Sequence, residues 1–351
     1  MRVIITDDIV NECCNMALLF TDTNYTCERI LNYYPSLSEK KKKQIPEQIK
    51  SYINQGIRFL SETNDNVFTA PLTLFYALNN FVKAIYLLHK PNYTLSGSHG
   101  LSMEKVKDAH NLAEIDLKVN GNGTFLNLIE ITGDNGLYSN KIIHLKNVLS
   151  LIPELSEIYA NRYSEEPNIF LLQEEKKSYS IILHNVQTIE ELEKRDYSFP
   201  LRYGYHIDIS RDSFVLRDAS FVEKEKCILF DVYGNKYISC GIPEEGEILF
   251  FSKISSLYVS YFAFSMLVRY NPEVWKNICD TADITIIRKL LVHCKAEMMA
   301  EILNLLFDEQ FYFSTEIKPI KEEIDYDKIY EEVKKRFRDE KRRTGRRFDF
   351  F

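Results

Sequence analysis

Glycine and proline are scarce, 12 and 10 residues in a chain of 351, which excludes a collagen-like or low-complexity polypeptide. Long clean hydrophobic runs are missing as well. The nearest candidate, Pro71 to Lys90 (PLTLFYALNNFVKAIYLLHK), carries Asn79, Asn80 and Lys83 at its centre, where lipid would penalise polar side chains. It is expected to be a core helix, and no membrane partner is expected. The first ten residues place Asp7 and Asp8 where a secretion signal must be apolar, so the expected compartment is the cytoplasm. Cysteine is an odd set of 7 with no C-x-x-C pair and no His at zinc spacing, which reads as reduced, mostly buried thiols and no metal site. G-x-S-x-G, G-x-x-x-x-G-K-[ST], H-E-x-x-H and G-x-G-x-x-G are all absent. That counts against a familiar hydrolase, ATPase, metalloprotease or dehydrogenase, and no cofactor is expected.

What is present is core material: 45% hydrophobic residues and 13% aromatic, with 22 Tyr and 22 Phe against 1 Trp. Rings bury much area at low entropic cost and suit thick helical and sheet cores. The net charge of −7 is uneven. From Lys334 to Phe351 nine basic residues face three acidic ones, a local +6 that leaves −13 on the rest of the chain.

Along the chain, residues 1–45 read as an N-terminal helical segment ending in the lysine run Lys40 to Lys43. From Pro46, Ile49, Ile53, Ile57 and Leu60 recur at spacings of four, four and three, which predicts an amphipathic helix with Pro46 in its first turn. The helix from Pro71 should pack antiparallel to it. A polar loop, Asn92 to Ser102, follows, with Gly97 and Gly100 permitting close backbone approach. Alternating Ile115, Leu117 and Val119, the turn Gly121-Asn122-Gly123 and the run Phe125 to Ile131 predict a β-hairpin. A helical period resumes from Lys141 to Arg162, broken at Pro153.

Residues 163–252 read as a β-rich insert. Helices return over 253–310, at Ser255 to Tyr270, Pro272 to Asp280 and Asp283 to Phe307. The fold class expected is α+β, a mainly helical body (46–162 and 253–310) with a β-hairpin and a β-rich insert. The end, 318–351, reads as a charged docking tail. Tyr326, Ile329, Tyr330, Val333 and Phe337 form an apolar stripe that needs a surface to cover. Two surfaces compete for this tail. One is a protein partner or a second copy of the chain, favoured by the acidic body; the other is nucleic acid, reached through Arg342, Arg343, Arg346 and Arg347.

The strongest local oddity is the polar stripe in the apolar helix, Tyr76, Asn80 and Lys83 at spacings of four and three. Either Lys83 snorkels to water while Asn80 caps or bonds a neighbouring loop, or the stripe faces a cleft that binds a polar or anionic ligand; a structural ion pair is the third reading. Arg269 precedes Asn271-Pro272, so it falls in the last turn of its helix, where a cation relieves the helix dipole. Its alternative is to join Lys83 and His99 around an anion, since three basic groups in one cleft need one.

Three stretches, PLTLFYALNNFVKAIYLL, SHGLS and SMLVRYNPEVW, resemble the YaaC-like family of bacterial proteins, with a thinner likeness from Tyr52 to about Phe307. The motif positions fall on Tyr76, Asn80, Lys83, Ala84, His99, Gly100, Ser265, Met266, Arg269, Tyr270, Pro272, Glu273 and Trp275. The resemblance implies no established reaction, and the tail after Pro319 lies outside the family pattern. Arg288 and His293 fit a second pattern, the Arg-x(4 to 6)-His spacing of the HEPN class of helical, metal-independent RNases, with Lys289 a departure from it. The expected function is a cytoplasmic interaction or ligand-binding protein, by loose analogy a subunit of a defence or stress complex. The alternative is a HEPN-like RNase acting through Arg288 and His293.

Overall fold

A computed structural model describes residues 2–134, 139–175, 178–182, 206–208, 213–216, 228–239, 241–244 and 247–315. Among them are eleven α-helices and thirteen strands, a mainly helical α+β fold. No helix among the described residues is long and apolar enough to cross a membrane. The docking-tail residues, from Tyr326 through Tyr330 and Phe337 to Arg347, lie outside them.

Two helices are buried on nearly all sides, as their lack of a polar face requires. These are α4 (Ala70–His89) and α8 (Lys253–Tyr270). They pack against each other through Phe75, whose ring meets Tyr258 and Phe262 edge-on, both at 5.5 Å. Against α4 lies α3 (Glu39–Ser61), where Ile49, Ile53 and Leu60 of the predicted stripe are buried, Ile57 is partly buried, and Ile45 joins them. Gly56 faces the Phe81 ring so closely that a Cβ there would sit 2.9 Å from it. Around this trio stand α1 (Ile9–Ala17), α2 (Thr23–Tyr33), α9 (Pro272–Cys279), α10 (Ile284–Val292) and α11 (Cys294–Phe307). One continuous core joins the helices on both sides of the strands.

β2 (Leu101–Lys105), β3 (Asp116–Val119) and β4 (Ile142–His144) form an antiparallel sheet. Their partners differ from the expected hairpin, because Phe125 to Ile131 belongs to α5 (Thr124–Thr132). Phe125, Leu128 and Ile129 repeat at three and four, a helical period that outweighs the short alternation before it. Gly133, left-handed at φ 69°, caps the helix. The Lys141 to Arg162 helix is corrected too. It opens as β4, continues as α6 (Leu145–Leu149), and restarts after a 3-10 turn at Pro153 as α7 (Ser156–Tyr163). Pro46 lies inside α3 rather than at its start, because the lysine run before it is already helical. His293 divides the expected helix from Asp283 into α10 and α11.

The insert holds a six-stranded sheet in the order β7 (His206–Asp208), β8 (Ser213–Leu216), β6 (Ser178–Ile182), β5 (Ile169–Glu175), β10 (Lys236–Ser239) and β9 (Ile228–Phe230). A hairpin of β11 (Ile242–Glu244) and β12 (Glu247–Leu249) leads back to α8. Finally β1 (Arg2–Ile5) pairs in parallel with β13 (Phe311–Ser314), a pairing across almost the whole chain that local pattern does not reveal.

Candidate functional site

On α4, Tyr76, Asn80 and Lys83 share one stripe, and α3 presents Tyr52 and Phe59 to it. The two helices run antiparallel, so residues seven apart on each make two levels about 10 Å apart at 1.5 Å per residue. At one level the Phe59 and Tyr76 rings stack, with centroids 5.4 Å apart and planes 27° from parallel. Arg269, in the last turn of α8, donates to the Tyr76 hydroxyl at 2.7 Å. Its guanidinium lies 4.9 Å from the Tyr270 centroid and 5.9 Å from that of Tyr76. At the other level the Lys83 ammonium lies 5.6 Å from the Tyr52 centroid, a cation–π contact. Asn80, buried between the levels, donates to the Tyr76 carbonyl at 2.7 Å. The expected cap or bond to a neighbouring loop is replaced by this bond within its own helix.

His99 arrives from the loop before β2. The loop is docked by main chain: Thr124 N donates to Ser98 O at 3.0 Å, and Phe125 N to His99 O at 3.0 Å. The buried Tyr258 hydroxyl donates to Asn79 Oδ1 at 2.9 Å and lies 3.3 Å from the same His99 carbonyl. Gly100 and Gly123 sit at φ 84° and 135°, and a Cβ on Gly123 would collide with the Gly100 backbone. The close approach permitted by the loop glycine is therefore to the N-terminus of α5, whose first amides are consumed there. The imidazole itself is half-buried, edge-on to Phe75 at 5.0 Å and 6.0 Å from Phe262. Burial, then the charges of Lys83 and Arg269, hold its pKa below the usual 6.5. Burial likewise pushes the Lys83 ammonium down. His99 is thus close enough to both cations to feel them. No carboxylate among the described residues pairs with any of them.

A second charged cluster lies at the other end of α8. Lys253 is 2% exposed and bonds Glu297 at 2.5 Å, Glu301 at 3.2 Å and the Phe230 carbonyl at 2.5 Å. Glu297 also accepts from Val232 N at 3.1 Å. Burial alone would lower the Lys253 pKa, but Glu297, Glu301 and Glu154 more than reverse it. Glu154, on the 3-10 turn at Pro153, is raised by burial and then by Glu297, with Lys253 opposing. This network joins the insert to α8 and α11.

The remaining family-motif positions serve packing. Trp275 is fully buried and donates to Val67 O at 3.1 Å, the Ser265 hydroxyl turns back to Phe262 O at 2.9 Å, and Pro272 opens α9. Arg288 on α10 and His293 at the α10–α11 junction are both exposed. Among the described residues neither side chain has a hydrogen bond or ion pair. A 620 Å³ cavity, lined by Glu104, Asp108 and Glu114 with Lys107 and Asn271, has none of the basic trio in its lining. Three carboxylates to one lysine do not suit an anion there. Tyr52, Phe59 and the Lys253 network escaped the sequence reading. The only sequence signal for Tyr52 and Phe59 was their spacing of seven beside the isoleucine stripe.

A family model described as YaaC-like Protein matches residues 18–306. No curated protein and no solved structure matches the chain.

Proposed function

The chain belongs to the YaaC-like family, and from that premise we propose that it is a cytoplasmic protein that binds a small anionic ligand between α3, α4, the end of α8 and the His99 loop. One observation supports this reading: His99 feels the charges of Lys83 and Arg269, and none of the three has a carboxylate partner among the described residues. Like charges gathered without a counter-charge repel one another, and an anion beside them replaces that repulsion with attraction. Arg269 is pre-oriented by the Tyr76 hydroxyl and two rings, so little order remains to be imposed when a ligand arrives. His99, its pKa held below 6.5 by burial and by the two cations, supplies a donor or an acceptor and is driven toward its cationic form when an anion binds.

Calorimetric titration of the purified protein with inorganic phosphate and pyrophosphate at low salt tests the proposal. Binding should weaken about tenfold in Lys83→Met and in Arg269→Gln, the loss of one charge-assisted contact each. Anion binding that both variants retain in full contradicts it, as does the absence of any binding.

A further inference from the structure

β1 and β13 run parallel, and parallel strands are found where both faces of their sheet are covered. The inner face of this pair is covered. Ile4 packs on the core, Phe313 is buried, and the buried Phe311 ring meets Phe307 of α11 edge-on at 5.5 Å. Alternation puts Val3 and Ile5, with their register partners Tyr312 and Ser314, on the outer face. Tyr312 is sheltered there by the turn between β9 and β10. The Phe230 ring lies 5.6 Å from it, and a Cβ on Gly234 would stand 3.1 Å from its ring. That turn is tied to β13, with Phe313 N donating to Val232 O at 2.7 Å. Val3 and Ile5 have no such shelter and are 56% and 53% exposed.

The position of the chain's exit and the local charge indicate what completes this face. Ser314, the last residue of β13, has Ile5 as its register partner, so the chain beyond it sets out from the rim of the bare patch. The twelve residues from Ser314 to Tyr326 can reach about 40 Å when extended, enough to turn back over a two-stranded sheet. The stripe Tyr326, Ile329, Tyr330, Val333 and Phe337 then arrives with Lys334, Lys335 and Arg336 at its far end. Asp7 and Asp8, both exposed, stand just past Ile5 with the opposite charge. We propose that this stripe docks as a helix on the outer face of the β1–β13 pair of its own chain and covers Val3 and Ile5. A helix laid on the sheet is the solution that α11 already provides on the inner face. The docking is independent of the anion site.

Hydrogen–deuterium exchange read by mass spectrometry on full-length protein tests it with two reciprocal variants, Val3→Ser/Ile5→Ser on the face and Tyr330→Ala/Phe337→Ala on the tail. The face variant should speed exchange over residues 326–337 about tenfold, and the tail variant should do the same over residues 2–6. Exchange in α3 and α4 should stay as it is in the unaltered protein, which shows that the body remains folded. Both effects are required, and neither should depend on protein concentration. Exchange over 326–337 that ignores the face variant overturns the proposal. If a short single-stranded RNA then slows that exchange, the tail serves nucleic acid; if raising the protein concentration slows it, the tail serves a second copy of the chain.

Discussion

Lys253 and Lys83 sit on the two longest-buried helices of the same core, and the protein treats their charges in opposite ways. Lys253 is enclosed, with Glu297 at 2.5 Å, Glu301 at 3.2 Å and a carbonyl within reach. Lys83 is half-buried, touches a tyrosine face and has no carboxylate among the described residues. A buried ammonium that fold-building alone explains comes with its counter-charges, because leaving one unpaired costs several kcal/mol. Lys83 has none among the described residues, and it stands with the half-buried His99 and the exposed Arg269, whose proposed counter-charge is a bound anion. Arg162 and Lys146, also partly buried, follow the first pattern, pairing with Asp283 at 2.6 Å and Glu165 at 2.7 Å, whereas Arg29 is met by the Phe307 carbonyl.

The largest effect should come from breaking the compensated cluster. Lys253→Met leaves Glu297 buried without its partner and should cost about 3 to 5 kcal/mol in urea or thermal unfolding. Lys83→Met should change stability by less than about 1 kcal/mol, in the direction of a gain, because it removes a partly desolvated charge that has no ion pair. Anion affinity should move the other way, weakened by Lys83→Met and untouched by substitutions on the exposed Lys276–Asp280 pair. Equal destabilisation by the two methionine variants would erase the distinction between the clusters.

The pH dependence sharpens the comparison with a smaller effect. His99 has its folded pKa below the ordinary 6.5, so the unfolded chain takes up the proton first and stability falls as pH drops below about 6.5. Glu154 has its folded pKa above the ordinary 4.5. Its contribution is fully present below 4.5 and is lost as pH rises from there through the folded value. The two slopes are opposite in sign. His99→Gln should remove the first and Glu154→Gln the second, each read as the difference in unfolding free energy from the unaltered protein across a pH series.

Much of this was legible in the sequence. The isoleucine spacing of α3, the apolar run of α4 with its polar stripe, the stop at Asn271 before Pro272 and the strand-rich middle all follow from period and turn chemistry. The expectation that Lys83, His99 and Arg269 would meet rested on the polar stripe in an apolar helix and on the need of three basic groups for an anion if they share a cleft. Other features were hidden for physical reasons. Phe125 to Ile131 is an apolar run short enough to serve either a strand or a helix, and the capping Gly133 decides it only once the chain is folded. β1 and β13 find each other across the whole helical body. Arg269 meets Tyr76 across 193 positions, and Lys253 meets Glu297 across 44. No local rule assigns a carboxylate to one lysine and withholds it from the other.

The imidazole at the centre of the uncompensated cluster gives the most direct test. His99 should be followed by NMR through its ring carbon shift across a pH titration, assigned by loss of the signal in His99→Gln, with and without saturating pyrophosphate. The account predicts a pKa below 6.5 in the ligand-free protein and an upward shift when the anion is bound, as neighbouring positive charge is neutralised. A value at or above 6.5 that pyrophosphate leaves unchanged would contradict it.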